Sequence, residues 1–187
     1  MTLHHEVQGS REYIAEYEQE AATPLGQQII ASRWRTVQNY CKSGTLLDFG
    51  CGAGAFHRAA PPSFVATGWD VNPHSAFYKP FPCGPYDILT LWDVIEHLSA
   101  PMAIVGNYGP QFVFISTPDT DNTDLAHFRE WKHFKPGEHI HYYNSLTLAM
   151  SLAAAGYALL HCDHEEGWLR DPLNPQAVLT AVFVKDA

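Results

Sequence analysis

Asp48 stands two residues before the first of three closely spaced glycines in LLDFGCGAG (46–54), and Asp70 follows Gly50 by twenty positions at the end of a second apolar run. A glycine-rich turn after a strand lets the backbone approach a ligand closely and opens the next helix. Gly50, Gly52 and Gly54 are spaced G-x-G-x-G, which differs from the G-x-G-x-x-G of dinucleotide sites. A carboxylate at position 70 is placed to accept hydrogen bonds from ribose hydroxyls. Asp48 discriminates further: beside it a pyrophosphate meets like-charge repulsion, whereas an ammonium or sulfonium is favoured. The ligand that satisfies both acids has a ribose, no phosphate and a cationic amino-acid tail.

A second set of chemically capable residues follows. Asp93, Glu96 and His97 lie in DVIEH (93–97), and four of the eleven histidines (His127, His133, His139, His141) fall within HFREWKHFKPGEHIHYY (127–143). Mixed carboxylate and imidazole ligands suit Mg²⁺, Mn²⁺ or Zn²⁺, and a metal beside a hydroxyl lowers its pKa. Without metal, His97 or His139 has the right pKa range for a general base, and the residues leave open which. A plain structural role competes with both: Glu96 capping a helix near Ser99 or pairing with a loop histidine. HCDHEE (161–166) reads as a solvated turn, and His4-His5 as tail.

These residues need elements to position them. Residues 10–41 carry helical spacing in two stretches broken at Thr23-Pro24, with Thr23 as cap of the second. Strands are expected at 45–49, 64–70, 86–93, 112–117, 157–162 and 177–184. Short helices are expected at 53–60 and after Ser99, and a longer one from Asn144-Ser145 to Ala155, stopped by Gly156. The alternation implies an α/β, Rossmann-like doubly wound sheet, mostly parallel, closing on a C-terminal antiparallel strand pair. Ligands on such sheets sit beyond the carboxyl ends of the strands. The long aromatic segment 119–143 has no clear period and reads as a wall or lid over a pocket.

At 187 residues with 46% hydrophobic content, the chain reads as one domain. It divides into an N-terminal helical cap (1–43), a cofactor-binding half (44–118) and an acceptor loop, helix and final strands (119–187). A formal charge of −9, with only eleven Lys plus Arg, argues against a nucleic-acid partner and for a small molecule. There is no apolar run of membrane-spanning length, no secretory signal pattern, and no paired spacing among the four cysteines, so a reduced, cytoplasmic protein is expected. Oligomeric state is not written in the pattern.

S-adenosylmethionine has the ribose, the cationic tail and no phosphate. LLDFGCGAG resembles the h-h-D-h-G-C-G-x-G turn of class I methyltransferases, Trp69-Asp70 resembles their ribose-binding acid, and YDILTLWDVIEHLSAP (86–101) resembles the fourth-strand region of their E-H-L subgroup. The resemblance implies that Gly50, Cys51 and Gly52 surround the methionine portion, that Asp48 reaches its amino group and Asp70 the ribose, and that Trp92 and Asp93 lie near the cofactor. D-x-x-E-H at 93–97 is also similar to the E-x-x-E-H of ubiquinone-pathway O-methyltransferases and of enzymes methylating the terminal ribose of small RNAs. That likeness implies His97, His139 and Glu96 at the catalytic centre and a divalent metal on Asp93, Glu96, His97 and His139. Only fifteen residues separate Asp70 from Tyr86, where the family fits a helix and a third strand, so the third-strand region is expected to be shortened. Methyl transfer to a hydroxyl oxygen of a small molecule is the leading expectation. A non-catalytic, cofactor-binding regulatory module is the alternative, and a nicotinamide-dependent reductase is disfavoured by Asp48 and the glycine spacing.

Overall fold

The computed structural model describes residues 10–123 and 125–186 and all their side chains except those of Asn122, Leu125 and His127. The expectations for His4, His5 and the His127 side chain therefore lie outside the described residues.

Two helices come first. Ser10 caps α1 (Arg11–Ala22) by accepting from the Tyr13 N–H. Thr23 caps α2 (Pro24–Tyr40), its hydroxyl accepting from the Gly26 N–H at 3.0 Å, with Pro24 at the first helical position where its missing N–H costs nothing. Trp34 and Val37, three positions apart, turn one face of α2 onto the sheet.

The sheet has six strands: β1 (Gly44–Phe49), β2 (Phe64–Trp69), β3 (Ile88–Trp92), β4 (Phe112–Pro118), β5 (Tyr157–Asp163) and β6 (Val178–Lys185). Their order is β2-β1-β3-β4-β6-β5. Strands β1 to β4 pair in parallel, while β6 runs antiparallel to both neighbours. The doubly wound, mostly parallel sheet with its C-terminal antiparallel pair is thus as expected. β6 inserts between β4 and β5, so it alone is reversed. Between β2 and β3 there is no strand among the described residues, only a bridge of Asp70 with Tyr78, and β2 forms the edge.

The period-two alternation of the strands divides the core. Leu47, Phe49, Leu89, Leu91, Val113 and Ile115 pack with α4 (Pro101–Tyr108) and α5 (Ser145–Ala154) on one face. Leu46, Ile88, Trp92 and Phe114 pack with α2 and with α3 (Ala55–Arg58) on the other. On that second face Asp48 and Thr90 are register partners, two polar side chains set side by side in an apolar layer.

Two local expectations are corrected. Ser99 does not cap α4; Ala100 occupies that position and no side chain caps the helix. Residues 161–166 are no solvated turn: β5 runs to Asp163, α6 (Glu165–Arg170) follows at once, and Glu166 is only 2% exposed. The segment's position at a strand end before Gly167-Trp168 suggested solvent, but the cation that allows Glu166 to be buried comes from α2, over a hundred residues earlier. Among the described residues no helix is long and apolar enough to cross a membrane.

Candidate active site

The parallel strands end in a row. Phe49, Trp69, Trp92 and Pro118 close β1 to β4, and beyond their carboxyl ends opens a cavity of about 1090 Å³. This is the ligand position of a doubly wound sheet, at the crevice where chain connections diverge from β1. Tyr13 and Tyr17 of α1 line it, with their hydroxyls 3.1 Å apart. The side-chain amide of Asn72 donates to the Ser10 carbonyl and ties the loop after β2 to the start of α1.

Asp70 is 7% exposed and binds the glycine turn itself. One oxygen accepts from the Gly52 N–H at 2.6 Å, the other from the Asn72 N–H at 2.7 Å. Burial raises its pKa, and those two N–H groups act against the rise. Gly52 has a φ of +53°, and a Cβ there would meet nothing nearer than Tyr17 at 4.0 Å, so its backbone faces open cavity. Asp48 is 3% exposed at the cavity floor, where one oxygen accepts from the Thr90 hydroxyl at 2.8 Å. Helix α3 is capped by Gly54 without any side-chain bond, so Asp48 is not a helix cap. Cys51 and Trp92 also line the cavity, and the buried Trp92 indole N–H has no hydrogen-bond partner among the described residues. A donor stranded in this way costs about 1–3 kcal/mol.

Glu96, His97 and His139 come together. The chain after β3 makes a short 3-10 turn (Ile95–His97), and the N–H groups of Ile140 and His141 both donate to the Glu96 carbonyl at 2.9 and 3.1 Å. That pairing fastens the long loop to the turn, and ligand atoms of the three side chains all lie within 4.8 Å of one another. His97 Nδ1 donates to the Glu138 carbonyl at 2.9 Å; a carbonyl only accepts, so Nδ1 carries a proton, and Nε2 is the ring nitrogen on the Glu96 side, 3.9 Å from its carboxylate. Glu96 is 2% exposed, and its pKa is pushed up to about 8, first by burial and then by the Asp93 charge, with the nearby Thr117 hydroxyl acting against the rise. Burial, then the neighbouring His97 and Lys135 charges, hold His139 down near 4. His133, lining the same cavity, is likewise lowered to about 4 by burial.

Asp93 does not join that group. It follows β3 with a φ of +57°, a conformation L residues adopt rarely, and one carboxylate oxygen accepts from Arg33 at 2.8 Å and Arg170 at 2.5 Å. Burial alone would raise its pKa, but the two guanidiniums outweigh that and hold it near 2. Arg33 also donates to both oxygens of Glu166 and lies over the Trp92 ring, 4.9 Å from its centroid; Arg170 completes the cluster through Glu166. The cluster clamps α2 to α6 in the cavity wall. No sequence signal pointed to Arg33, Arg170 or Glu166, because the partners sit on elements far apart in the chain. Thr90 was visible only as a polar residue within an apolar strand. Replacing Arg33 by alanine leaves the buried Glu166 and the partly exposed Asp93 with Arg170 alone; the expected cost is about 3 kcal/mol, read by urea denaturation.

The fold and the site define a class: a doubly wound sheet with a large cavity at its strand ends, floored by two buried carboxylates and walled by an acid and two imidazoles. The comparisons agree. Residues 14–162 match the model of the methyltransferase domain family, so the chain belongs to that family and is an S-adenosylmethionine-dependent methyltransferase. No curated protein matches it. Among solved structures, it is similar to the small RNA methyltransferase HEN1 at 19% identity with a TM-score of 0.59, covering 88% of this chain but only 26% of that one, so it spans about a quarter of HEN1. It also resembles magnesium protoporphyrin IX methyltransferase from Synechocystis PCC 6803 with bound SAH, at 13% identity and TM-score 0.67, covering 96% of each chain. A third likeness is to a complex of the Haloferax volcanii Trm112 methyltransferase activator with a putative methyltransferase, at 11% identity and TM-score 0.69 over 100% of this chain and 98% of that one.

Proposed function

We propose that the protein methylates a hydroxyl oxygen of a small molecule, with a divalent ion held by Glu96, His97 and His139. The observation that carries this reading is the convergence of those three side chains, within 4.8 Å of one another, on a wall of the cofactor cavity. S-adenosylmethionine supplies an electrophilic methyl on a sulfonium. Gly50, Cys51 and Gly52 surround its methionine portion, Asp48 attracts the ammonium, Asp70 takes the ribose hydroxyls, and Trp92 packs nearby. Asp93, fixed by its two arginines, sits beside the cofactor as part of the wall rather than as a metal ligand.

The donor set fits a cation. Burial leaves Glu96 protonated and His139 neutral near pH 7, and a divalent ion would displace the Glu96 proton and be held by that carboxylate and the two imidazoles. The His97 bond to the Glu138 carbonyl is the outer contact that orients a ligating imidazole. A divalent ion there supplies positive charge that lowers the pKa of an adjacent hydroxyl. The residues of the chain then position the partners for in-line displacement, while Tyr13 and Tyr17 on one side and the 133–139 loop on the other keep water out. The net charge of −9 favours a neutral or cationic small acceptor over a polyanion.

The test is transfer of labelled methyl to a panel of phenols, sugars and small RNA, with and without chelator. Transfer to a small hydroxyl compound that stops on chelation and returns with Mn²⁺ or Mg²⁺ is expected. Transfer undiminished by chelator removes the metal, and the absence of calorimetric heat with S-adenosylhomocysteine removes the whole reading.

A further inference from the structure

A second group of ligating side chains lies at the foot of the glycine turn, built from none of the residues of the first. A carboxylate oxygen of Asp48, the Cys51 sulfur and a ring nitrogen of His57 all lie within 4.8 Å of one another. We propose that this is a site for a thiophilic cation such as Zn²⁺, and that the metal and S-adenosylmethionine exclude one another there. The exclusion rests on the placement of Asp48 against the cofactor's ammonium; the metal site does not.

The separations carry the argument. His57 Nδ1 and Asp48 Oδ2 are 3.4 Å apart, long for a hydrogen bond between a buried imidazole and a carboxylate. It is, however, roughly the separation of two ligands each about 2.1 Å from a tetrahedral ion. The Cys51 sulfur lies no more than 4.8 Å from either of those atoms, against about 3.6 Å around a tetrahedral ion with a Zn–S distance of about 2.3 Å, a difference that a side-chain torsion can close. A mixed sulfur, nitrogen and oxygen set selects a borderline ion over Mg²⁺.

The surroundings hold the ligands in place. Thr90 donates its hydroxyl to the other oxygen of Asp48 at 2.8 Å, an outer contact of the kind that orients a metal-binding carboxylate. The His57 ring stands edge-on to Phe77, with centroids 4.4 Å apart, and sits directly over Gly68. A Cβ at Gly68 would lie 2.1 Å from His57 Cε1, and one at Gly54 would lie 2.7 Å from the same atom. The third glycine of the motif therefore makes room for this ring and for Phe77, not for a ligand. A slot so specifically shaped is more than a single long hydrogen bond requires. Burial and the charges of Asp48 and Asp70 push the Cys51 thiol upward, and that same negative field attracts a cation, in whose presence the thiol ionises.

Exclusion follows from what the cavity shares. Asp48 and Cys51 line it, whereas His57 does not, so a bound ion sits between the buried imidazole and the space of the methionine tail. Asp48 cannot neutralise an ammonium and ligate zinc at once. The effect is competitive inhibition by zinc, reversed by chelator, at a site separate from the Glu96 group.

The test is Co²⁺ titration of the chelator-treated full chain, because cobalt reports a thiolate ligand through a charge-transfer absorption that oxygen and nitrogen ligands lack. The expected band appears in the wild type and in Glu96→Gln, and disappears in Cys51→Ser and His57→Phe, with circular dichroism verifying that each variant is folded. Thr90→Val keeps the band but weakens cobalt binding roughly 10–100-fold. Added S-adenosylhomocysteine removes the band, and zinc raises the KM for S-adenosylmethionine without lowering kcat. A band that is absent, or that persists in Cys51→Ser through Cys41, Cys83 or Cys162, overturns the site. A band lost in both variants but unmoved by S-adenosylhomocysteine overturns the exclusion and the placement of Asp48, while the metal site stands.

Discussion

Asp70→Ala is expected to bind S-adenosylhomocysteine on the order of 100-fold more weakly than the wild type, a loss of about 3 kcal/mol. The size follows from the two jobs of one carboxylate. It accepts from the Gly52 and Asn72 N–H groups at 2.6 and 2.7 Å while only 7% exposed, and it lines the cavity, where the proposed function assigns it the ribose. Hydrogen bonds to an ionised group are worth about 1.5–3 kcal/mol each. Alanine removes the carboxylate proposed to accept from the ribose and also releases the glycine turn that Asp70 holds through the Gly52 N–H. Asp70→Asn restores one acceptor but aims an amide N–H at a backbone donor, so it recovers only part of the loss. Calorimetry measures both variants; an Asp70→Ala affinity within about threefold of wild type would rule out Asp70 as the ribose ligand.

Glu96→Gln is expected to lower methyl transfer at least 1000-fold, a barrier increase of about 4 kcal/mol, while leaving S-adenosylhomocysteine affinity nearly unchanged. Glutamine keeps the shape of the side chain but has no proton to exchange for a cation. The same variant should be more stable than wild type at alkaline pH. In the metal-free protein the Glu96 pKa is about 8 against an ordinary 4.5, so between those values the folded state holds a proton that the unfolded chain has released. Its contribution to stability is full below pH 4.5 and is lost as pH rises through 8. His133 and His139 act the other way. With pKa values near 4 against an ordinary 6.5, they cost stability as pH falls from 6.5 to 4, where the unfolded chain binds protons that the folded state refuses. One proton on the alkaline side and two on the acidic side place the maximum contribution of these groups near pH 6.5. Chemical denaturation of chelator-treated protein across pH 5–9 checks this: Glu96→Gln should lose the alkaline decline and gain a few kcal/mol above pH 8. A parallel decline in wild type and Glu96→Gln would show that Glu96 is ionised in the fold at neutral pH.

The sequence by itself determined the strands, most helix ends, and the order of the motifs along the chain. Apolar runs at 45–49 and 112–117, the Thr23-Pro24 break and the Asn144 cap are local features, each decided within a few residues. The glycine turn and Asp70 were legible for the same reason: a doubly wound sheet delivers the carboxyl ends of its strands to one edge, so motif order is enough to place them together. Only the tertiary structure decided which charges meet. Arg33 finds Glu166 across 133 positions and Asp93 across 60, and it withdraws Asp93 from the company of Glu96, its near neighbour in sequence. It likewise showed that of the loop histidines His139 packs against His97, because two N–H groups of the loop bond to the Glu96 carbonyl. It also showed that the slot beside Gly68 belongs to His57. Such pairings carry no periodicity, and their energy comes from burial and geometry that exist only once the sheet has formed.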